Sequence, residues 1–379
     1  MGIKGLLPFL EQKGAPPARF ALRDFAGCAV AVDAQGYVHA LRAVAWSRAA
    51  RGVDPLQEDP DPDEVRLSVY SALLRLSLRW LSHGVTPVFV FDGRAPEEKK
   101  QTRAKRQAEV EKRQQRLRDL RKKVLEASDA DRRDAAQLLS GLGGLPPAEA
   151  QLAAGFLESM GLPCLRAEGE GEALCALGTI EGWFAAAFSR DSDCLAYGCP
   201  LLLTDSDNSA GAGLVGYRLS RVLEALALPF PQFVDLCIMA GCDYNKNMRG
   251  AGIVTSYGLL RGCGAIERLP AARDPSCLNF RRCRQLFDRR PAAELVAAAP
   301  APVGATAPQD GGDGFFSVKP QQGAPGDGRP RLFADVGILR TRGQAALEQL
   351  GLSGEYYEDL LREMSAVGEP MSLAPRPPV

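Results

Sequence analysis

Two aspartates, Asp191 and Asp193, stand two residues apart in FSRDSDCLAYG (188–198), just after the apolar run at 183–188. A pair of carboxylates this close ionises cheaply in a water-poor cleft only if a cation neutralises it, because like charge and desolvation both raise carboxylate pKa values. The alternative is an Asx-type turn, in which one of the two bonds nearby backbone N–H groups. Which reading holds turns on what the rest of the chain brings alongside.

Two further apolar runs end the same way. CAVAV at 28–32 leads into Asp33, and VFVF at 88–91 leads into Asp92. None of the three runs alternates as a half-exposed antiparallel strand does, so they predict buried strands of a parallel sheet. Between them, 65–81 and 148–160 repeat apolar residues at helical spacing, and Gly161 stops the second. The order predicts an α/β fold with a mostly parallel central sheet flanked by helices. Sites in such sheets form outside the carboxyl ends of the strands, so the three terminal aspartates should share a cleft.

More acids follow. In AEGEGEA at 167–173, Glu168, Glu170 and Glu172 alternate with glycines before a predicted helix at 173–177. A helix start favours carboxylates in any case, so spacing leaves their role open. Asp243 follows an apolar helix at 233–240, and Gly250-x-Gly252 then precedes another helical segment. Such a turn exposes N–H groups that suit phosphate, or it closes an ordinary helix turn.

The chain has only two histidines, His39 and His83, and ten cysteines without a CxxC pair. Cys/His zinc sites are thereby excluded, reduced thiols are expected, and oxygen ligands point to Mg²⁺ or Mn²⁺. The 379 residues are 46% hydrophobic and 24% charged, as in a globular enzyme, with no stretch as long as a membrane span and no signal peptide. An intracellular, membrane-free protein is the expectation.

Net charge is zero, 46 basic against 46 acidic residues, yet 99–123 holds twelve basic residues against three acidic ones. The composition of 97–125 favours helix, and Lys99 and Arg106 lie about two turns apart on one face. Basic residues occur all round, so no apolar stripe is expected. The helix is therefore solvated or lies against a polyanion, and its start seven residues after Asp92 favours phosphates beside a metal. The acidic, proline-rich stretch 54–64 reads as a solvated loop without a role. Strands are expected at 200–203 and 213–219, a linker of Ala, Pro and Gly at 291–330, and a helix at 344–364.

Six ordered motifs resemble the superfamily of structure-specific 5′ nucleases that contains flap endonuclease and exonuclease 1: MGIKGLLPFL at the start, VAVDAQGYVHAL at 30–41, LSHGVTPVFVFDG at 81–93, EGEGEALCAL at 168–177, SRDSDCLAYG at 189–198 and AGCDYNKNMRGAG at 240–252. The likeness covers about residues 1–290. It implies a PIN-like nuclease core with a basic helical arch and a helix-two-turns-helix DNA-binding element near 238–262. The chain would divide into a nuclease region (1–98), the arch (99–145), an internal nuclease region (146–290), the linker (291–330) and a helical tail (331–379).

The resemblance implies metal ligation by Asp33, Asp92, Glu170, Glu172, Asp191, Asp193 and Asp243, leaving Glu168 aside. It implies that Lys99 and Arg106 reach the scissile phosphate beside the catalytic Asp191, and that Gly2, His39, Lys100, Arg103, Gly250 and Gly252 contact DNA. His39, where the exonuclease 1 branch has histidine, and LSHG lean toward that branch. Two Mg²⁺ ions, replaceable by Mn²⁺, would clamp the phosphate, one activating water and one stabilising the leaving oxygen. A monovalent cation would sit at the helix-two-turns-helix turn. There Ala251 replaces the family's isoleucine, and the lysine often found after the turn is absent.

QDGGDGFF, Gln309 to Phe316, resembles a sliding-clamp box but has Gly312 where an aliphatic plug belongs, which implies a weak contact at most. The function expected is metal-dependent hydrolysis of DNA with a free 5′ end, flap, nick or gap, by a nuclear, monomeric repair or replication enzyme acting as 5′-to-3′ exonuclease, 5′-flap endonuclease or both. A DNA-binding scaffold and an RNA-cutting relative are the alternatives.

Overall fold

The computed structural model describes residues 2–205 and 213–288. The chain runs through α1 (Leu6–Gln12), β1 (Ala18–Ala21), β2 (Ala29–Asp33), α2 (Ala34–Ala49), α3 (Pro62–Ser82), β3 (Thr86–Phe91), a 3₁₀ turn (Glu97–Lys99) and the long α4 (Lys100–Arg121). It continues through α5 (Asp129–Ser140), α6 (Pro147–Ser159), β4 (Cys164–Arg166), α7 (Gly171–Ile180), β5 (Ala187–Phe188), α8 (Asp193–Ala196), β6 (Leu201–Asp205) and β7 (Gly213–Arg218). Helices α9 (Leu219–Leu226), α10 (Phe230–Ala240), α11 (Ile253–Cys263) and α12 (Phe280–Leu286) follow. Local chemistry explains several starts: Asp61 caps α3 ahead of Pro62, and Ser128 with Asp131 forms a capping box on α5.

The sheet order is β1-β7-β6-β5-β2-β3-β4, with β6, β5, β2, β3 and β4 parallel and β7 and β1 antiparallel additions at one edge. Both faces are covered, which is why the runs do not alternate. Ala31, Val88 and Val90 pack toward α1 and the α7–α12 side, while Val30, Val32, Phe89 and Phe91 pack toward α2, α3 and α6. Each large side chain so buried contributes about 2–3 kcal/mol of transfer free energy.

Three expectations need correction. The run at 183–188 is strand only at Ala187–Phe188, because the N–H groups of Trp183 and Phe184 instead cap α7 by donating to the Gly178 carbonyl at 2.8 and 3.1 Å. The basic helix does have an apolar contact at its far end: Leu117, with Leu120 and Val124, packs on Ala50, Leu56, Ala135 and Leu139. The acidic loop expected to have no role holds that end down. Arg121 donates to the carbonyls of Pro55 and Glu58 at 3.0 and 2.7 Å and to Asp59 at 2.8 Å. β1 and β4, both short, had no counterpart in the sequence reading.

Among the described residues no single helix is long and apolar enough to cross a membrane; the bent α9–α10 pair, turning by 82°, lines the core instead. The linker, the tail with its expected helix at 344–364, and Gln309 to Phe316 lie outside the described residues.

The arch core yields a prediction. Leu139 is fully buried, and Leu139→Ala should cost about 2–4 kcal/mol locally. Trypsin should then cut within 99–123 several-fold faster than in the parent protein; unchanged cutting would show that this small core does not hold the arch.

Candidate metal and nucleic-acid site

The acids meet at the carboxyl ends of β2, β3, β4 and β5. β2 pairs with β3 on one side and β5 on the other, so Asp33 ends an interior strand, Asp92 follows β3, and Val32 lies beside Phe188 with Ser189 next in line. Ser189 Oγ donates to Asp33 Oδ2 at 2.7 Å and accepts from the Asp191 N–H at 2.9 Å. Asp33 also caps α2 by accepting from the Gly36 N–H at 3.0 Å, and the Asp193 N–H donates to Asp191 Oδ1 at 3.0 Å. The local turn considered as an alternative is thus present, but inside an acidic cluster.

Past β4, Glu170 stands at the N-cap position of α7 without a capping bond from its side chain, and Glu172 sits in the first turn. The Gly171 N–H between them donates to Asp92 Oδ1 at 2.8 Å, so the helix start is drawn onto the end of β3. Carboxylate oxygens of Asp92, Glu170 and Glu172 come within 4.8 Å of one another, a spacing that fits a shared divalent cation. Glu168 is exposed and contributes its backbone carbonyl to Arg94 instead. Gly93 permits this close approach: a Cβ there would lie 1.9 Å from the Ala167 carbonyl oxygen.

Charge without solvent dominates the electrostatics. Burial, opposed by the bonds from Ser189 and Gly36, pushes the Asp33 carboxyl up to about 6. Burial, then Asp33 and Asp191, holds Glu172 well above the carboxylate range; burial, then Asp191, does the same for Asp193. Asp191 and Glu170 are raised by burial as well. Asp193 Oδ1 is buried with no hydrogen-bond partner. A buried oxygen left without a partner among other acids fits a bound cation, and the all-oxygen donor set suits a hard divalent metal.

Two basic side chains enter from the arch. Lys99 pairs with Glu170 and lies 3.9 Å from Asp243, while Arg106 Nη2 meets both Asp243 oxygens at 2.8 and 3.0 Å. Burial opposes the Lys99 charge, yet Glu170 and Glu172 hold its pKa above the usual lysine range. Thr102, one turn from each, donates to the Asp243 carbonyl at 2.9 Å.

The other residues expected to contact DNA differ in setting. Gly2 packs on the acidic cluster, with no room for a Cβ, which would fall 2.0 Å from Asp191 Oδ1. His39 is half-buried on α2, not in the core, and burial, then Arg106 and Arg42, lowers its pKa. Lys100 and Arg103 are exposed on α4, Lys100 pairing with Glu97. Gly250, at φ +70°, and Gly252, the cap of α11, form an open turn. Sequence reading passed over Ser189, Thr102 and Ser192, whose Oγ accepts from the Ile3 N–H at 3.0 Å; lone hydroxyls carry no spacing signal.

Models of the XPG N-terminal domain and the XPG I-region match residues 1–115 and 161–243. Flap endonuclease 1-A of Oryza sativa subsp. japonica is 31% identical over 274 residues, covering 71% of this chain and 68% of that one. Flap endonuclease 1 of Theileria annulata is 30% identical over 292 residues, 76% of this chain and 55% of that protein. That of Babesia bovis is 31% identical over 291 residues, and this chain spans 41% of its length. The chain thus covers about half the length of these last two relatives. The catalytic core of Rad2, solved in complex with DNA substrate, superposes with a TM-score of 0.55 at 20% identity over 95% of this chain and all of that one, which shows a shared fold.

The raised carboxyls set a pH dependence. The folded Asp33 keeps its proton up to about 6, against an ordinary 3.8. Folding therefore binds protons in that window, and without divalent metal stability falls as pH rises from about 4 through 6. In chelator at pH 7.5, Asp193→Asn should raise the melting temperature by roughly 3–6 °C, since it removes a buried charge. Divalent metal should raise that of the parent protein more than that of the variant. A variant that melts lower in chelator would contradict this account.

Proposed function

Because the chain belongs to the XPG family, in which flap endonucleases fall, we propose that it hydrolyses DNA phosphodiester bonds beside a free 5′ end with bound divalent metal. The observation that carries this reading is the convergence of seven carboxylates with Lys99 and Arg106 at one end of the sheet. A non-catalytic scaffold has no use for so costly a cluster.

Asp92, Glu170 and Glu172 would hold metal on one side, and Asp191, Asp193 and Asp243 on the other, with Asp33 between through Ser189. Mg²⁺ as a pair of ions suits these hard carboxylate oxygens, and Mn²⁺ would substitute. Bound metal supplies an acidified water nucleophile and offsets phosphate charge. The protein's own groups do the positioning. Lys99 and Arg106, now on carboxylates, turn to the scissile phosphate and steady the charge that develops there. Lys100 and Arg103 face solvent on the same helix and would contact backbone phosphates without reading sequence.

The open turn at Gly250 and Gly252, with α11 behind it, offers N–H groups to a duplex phosphate and carbonyls to a monovalent cation. His39, kept neutral by its surroundings, would stack on a base near Arg106. The division into 1–98, 99–145 and 146–290, the linker and tail, a monomeric state, a weak clamp contact at 309–316, a nuclear setting and the leaning toward exonuclease 1 belong to the same reading.

Asp191→Asn should leave folding and DNA binding within about twofold of the parent protein and abolish metal-dependent cleavage of a 5′-flap substrate. Full activity would sink the proposal, as would DNA retention without cleavage by the parent protein in every divalent metal. Lys99→Ala should lower the single-turnover rate by about 10²-fold with little change in DNA affinity.

A further inference from the structure

The segment joining β3 to α4 is held at both ends. At its start, the N–H groups of Gly93 and Arg94 donate to the carbonyls of Gly169 and Glu168 at 2.7 and 2.8 Å, stapling it to the turn that carries Glu170. At its end, the 3₁₀ turn Glu97–Lys99 sends neighbouring side chains in different directions, about 120° apart. Lys99 points at Glu170 and Asp243; Glu98 points away, to Arg282 on α12, whose Nε donates to Glu98 Oε1 at 2.7 Å across 184 residues of sequence.

Helix α12 is a firm anchor. Arg284 donates to both oxygens of Asp235 on α10 at 2.6 Å and to Glu267 at 2.6 and 3.0 Å. Cys283 is fully buried, and Phe287 at the end of the helix packs edge-on against Tyr197 and Tyr244, centroids 5.0 and 5.5 Å away. Tyr244 adjoins Asp243. The same short helix therefore fixes the loop of Asp243 from one side and, through Arg282, the base of the arch from the other.

We infer that Arg282 is a positioning residue: its ion pair with Glu98 sets where Lys99 stands over the carboxylate cluster. The Glu98 side chain is 16% exposed, and its Oε2 is buried without a hydrogen-bond partner, so Arg282 is the counterion that lets this carboxylate stay against the body of the protein. Without it, Glu98 turns outward to water, the 3₁₀ turn rotates, and Lys99 loses its fixed approach. Arg282 itself is half-exposed and far from any acid of the cluster in sequence, and nothing in the site needs it for ligation.

The role of Lys99 in catalysis rests on the nuclease reading, so the test has one arm that does not use activity. Amide hydrogen exchange of residues 97–106 should speed at least tenfold in Arg282→Ala and in Glu98→Ala, with no further gain in the double variant, while residues 230–240 exchange as in the parent protein. Arg282→Lys should restore most of the protection. Unchanged exchange at 97–106, or an equal rise at 230–240, would overturn the inference. In the second arm, both single variants should cut a 5′-flap DNA about tenfold more slowly at saturation, with the half-saturating DNA concentration within twofold of the parent's. Weaker DNA binding at an unchanged rate would instead make Arg282 a DNA contact and overturn the positioning role. If the parent protein cuts no DNA in any divalent metal, the nuclease reading fails while the exchange arm still decides the Glu98–Arg282 pair.

Discussion

The arrangement depends on one constraint: carboxylates delivered to the same cleft by neighbouring parallel strands, where water is scarce. Strand geometry makes the convergence unavoidable, since β2, β3, β4 and β5 end at one edge and each is followed by acid. The surrounding hydrogen bonds are ways of tolerating it. Gly36, Gly171, Ser189 and the Asp193 N–H donate to aspartate oxygens, but hydrogen bonds to single oxygens do not cancel the burial, and after it the mutual repulsion, that hold Glu172 and Asp193 toward their protonated forms. Cations do that, and among the described residues Lys99 and Arg106 supply them.

This explains what was legible in the sequence and what was not. Asp33 and Asp92 could be read because a buried parallel strand leaves an unmistakable apolar run, and the acid at its end has nowhere to go but the sheet edge. Glu170 and Glu172 could not be placed by spacing, because what brings them in is β4, three residues long, and a backbone bond from Gly171 to Asp92, neither of which has a compositional mark. Ser189 was visible in the motif yet silent as to role, since its importance lies in standing beside Asp33 across a strand pair. The far end of the arch was misread for the same reason. Leu117 and Leu120 are too few to form a stripe, and their partners Ala50, Leu56 and Leu139 come from three other segments.

The two ends of the arch are held by different physics, and this bears on how it could act. At the far end the contacts are apolar burial around Leu117 and Leu139, reinforced by Arg121 on the loop at 55–59 and by Trp46 Nε1, which donates to the Leu139 carbonyl at 2.8 Å. The apolar part of that contact is indifferent to phosphate and to divalent cations. At the base, by contrast, Lys99 and Arg106 hold buried carboxylates that a divalent metal would also claim. Between Arg106 and Leu117 the helix is mostly exposed, with Val110 partly buried and Arg113 and Arg116 bonded to the Gly141 carbonyl and Asp134. The two basic side chains at the base therefore answer to charge, while the far end, held by burial, does not.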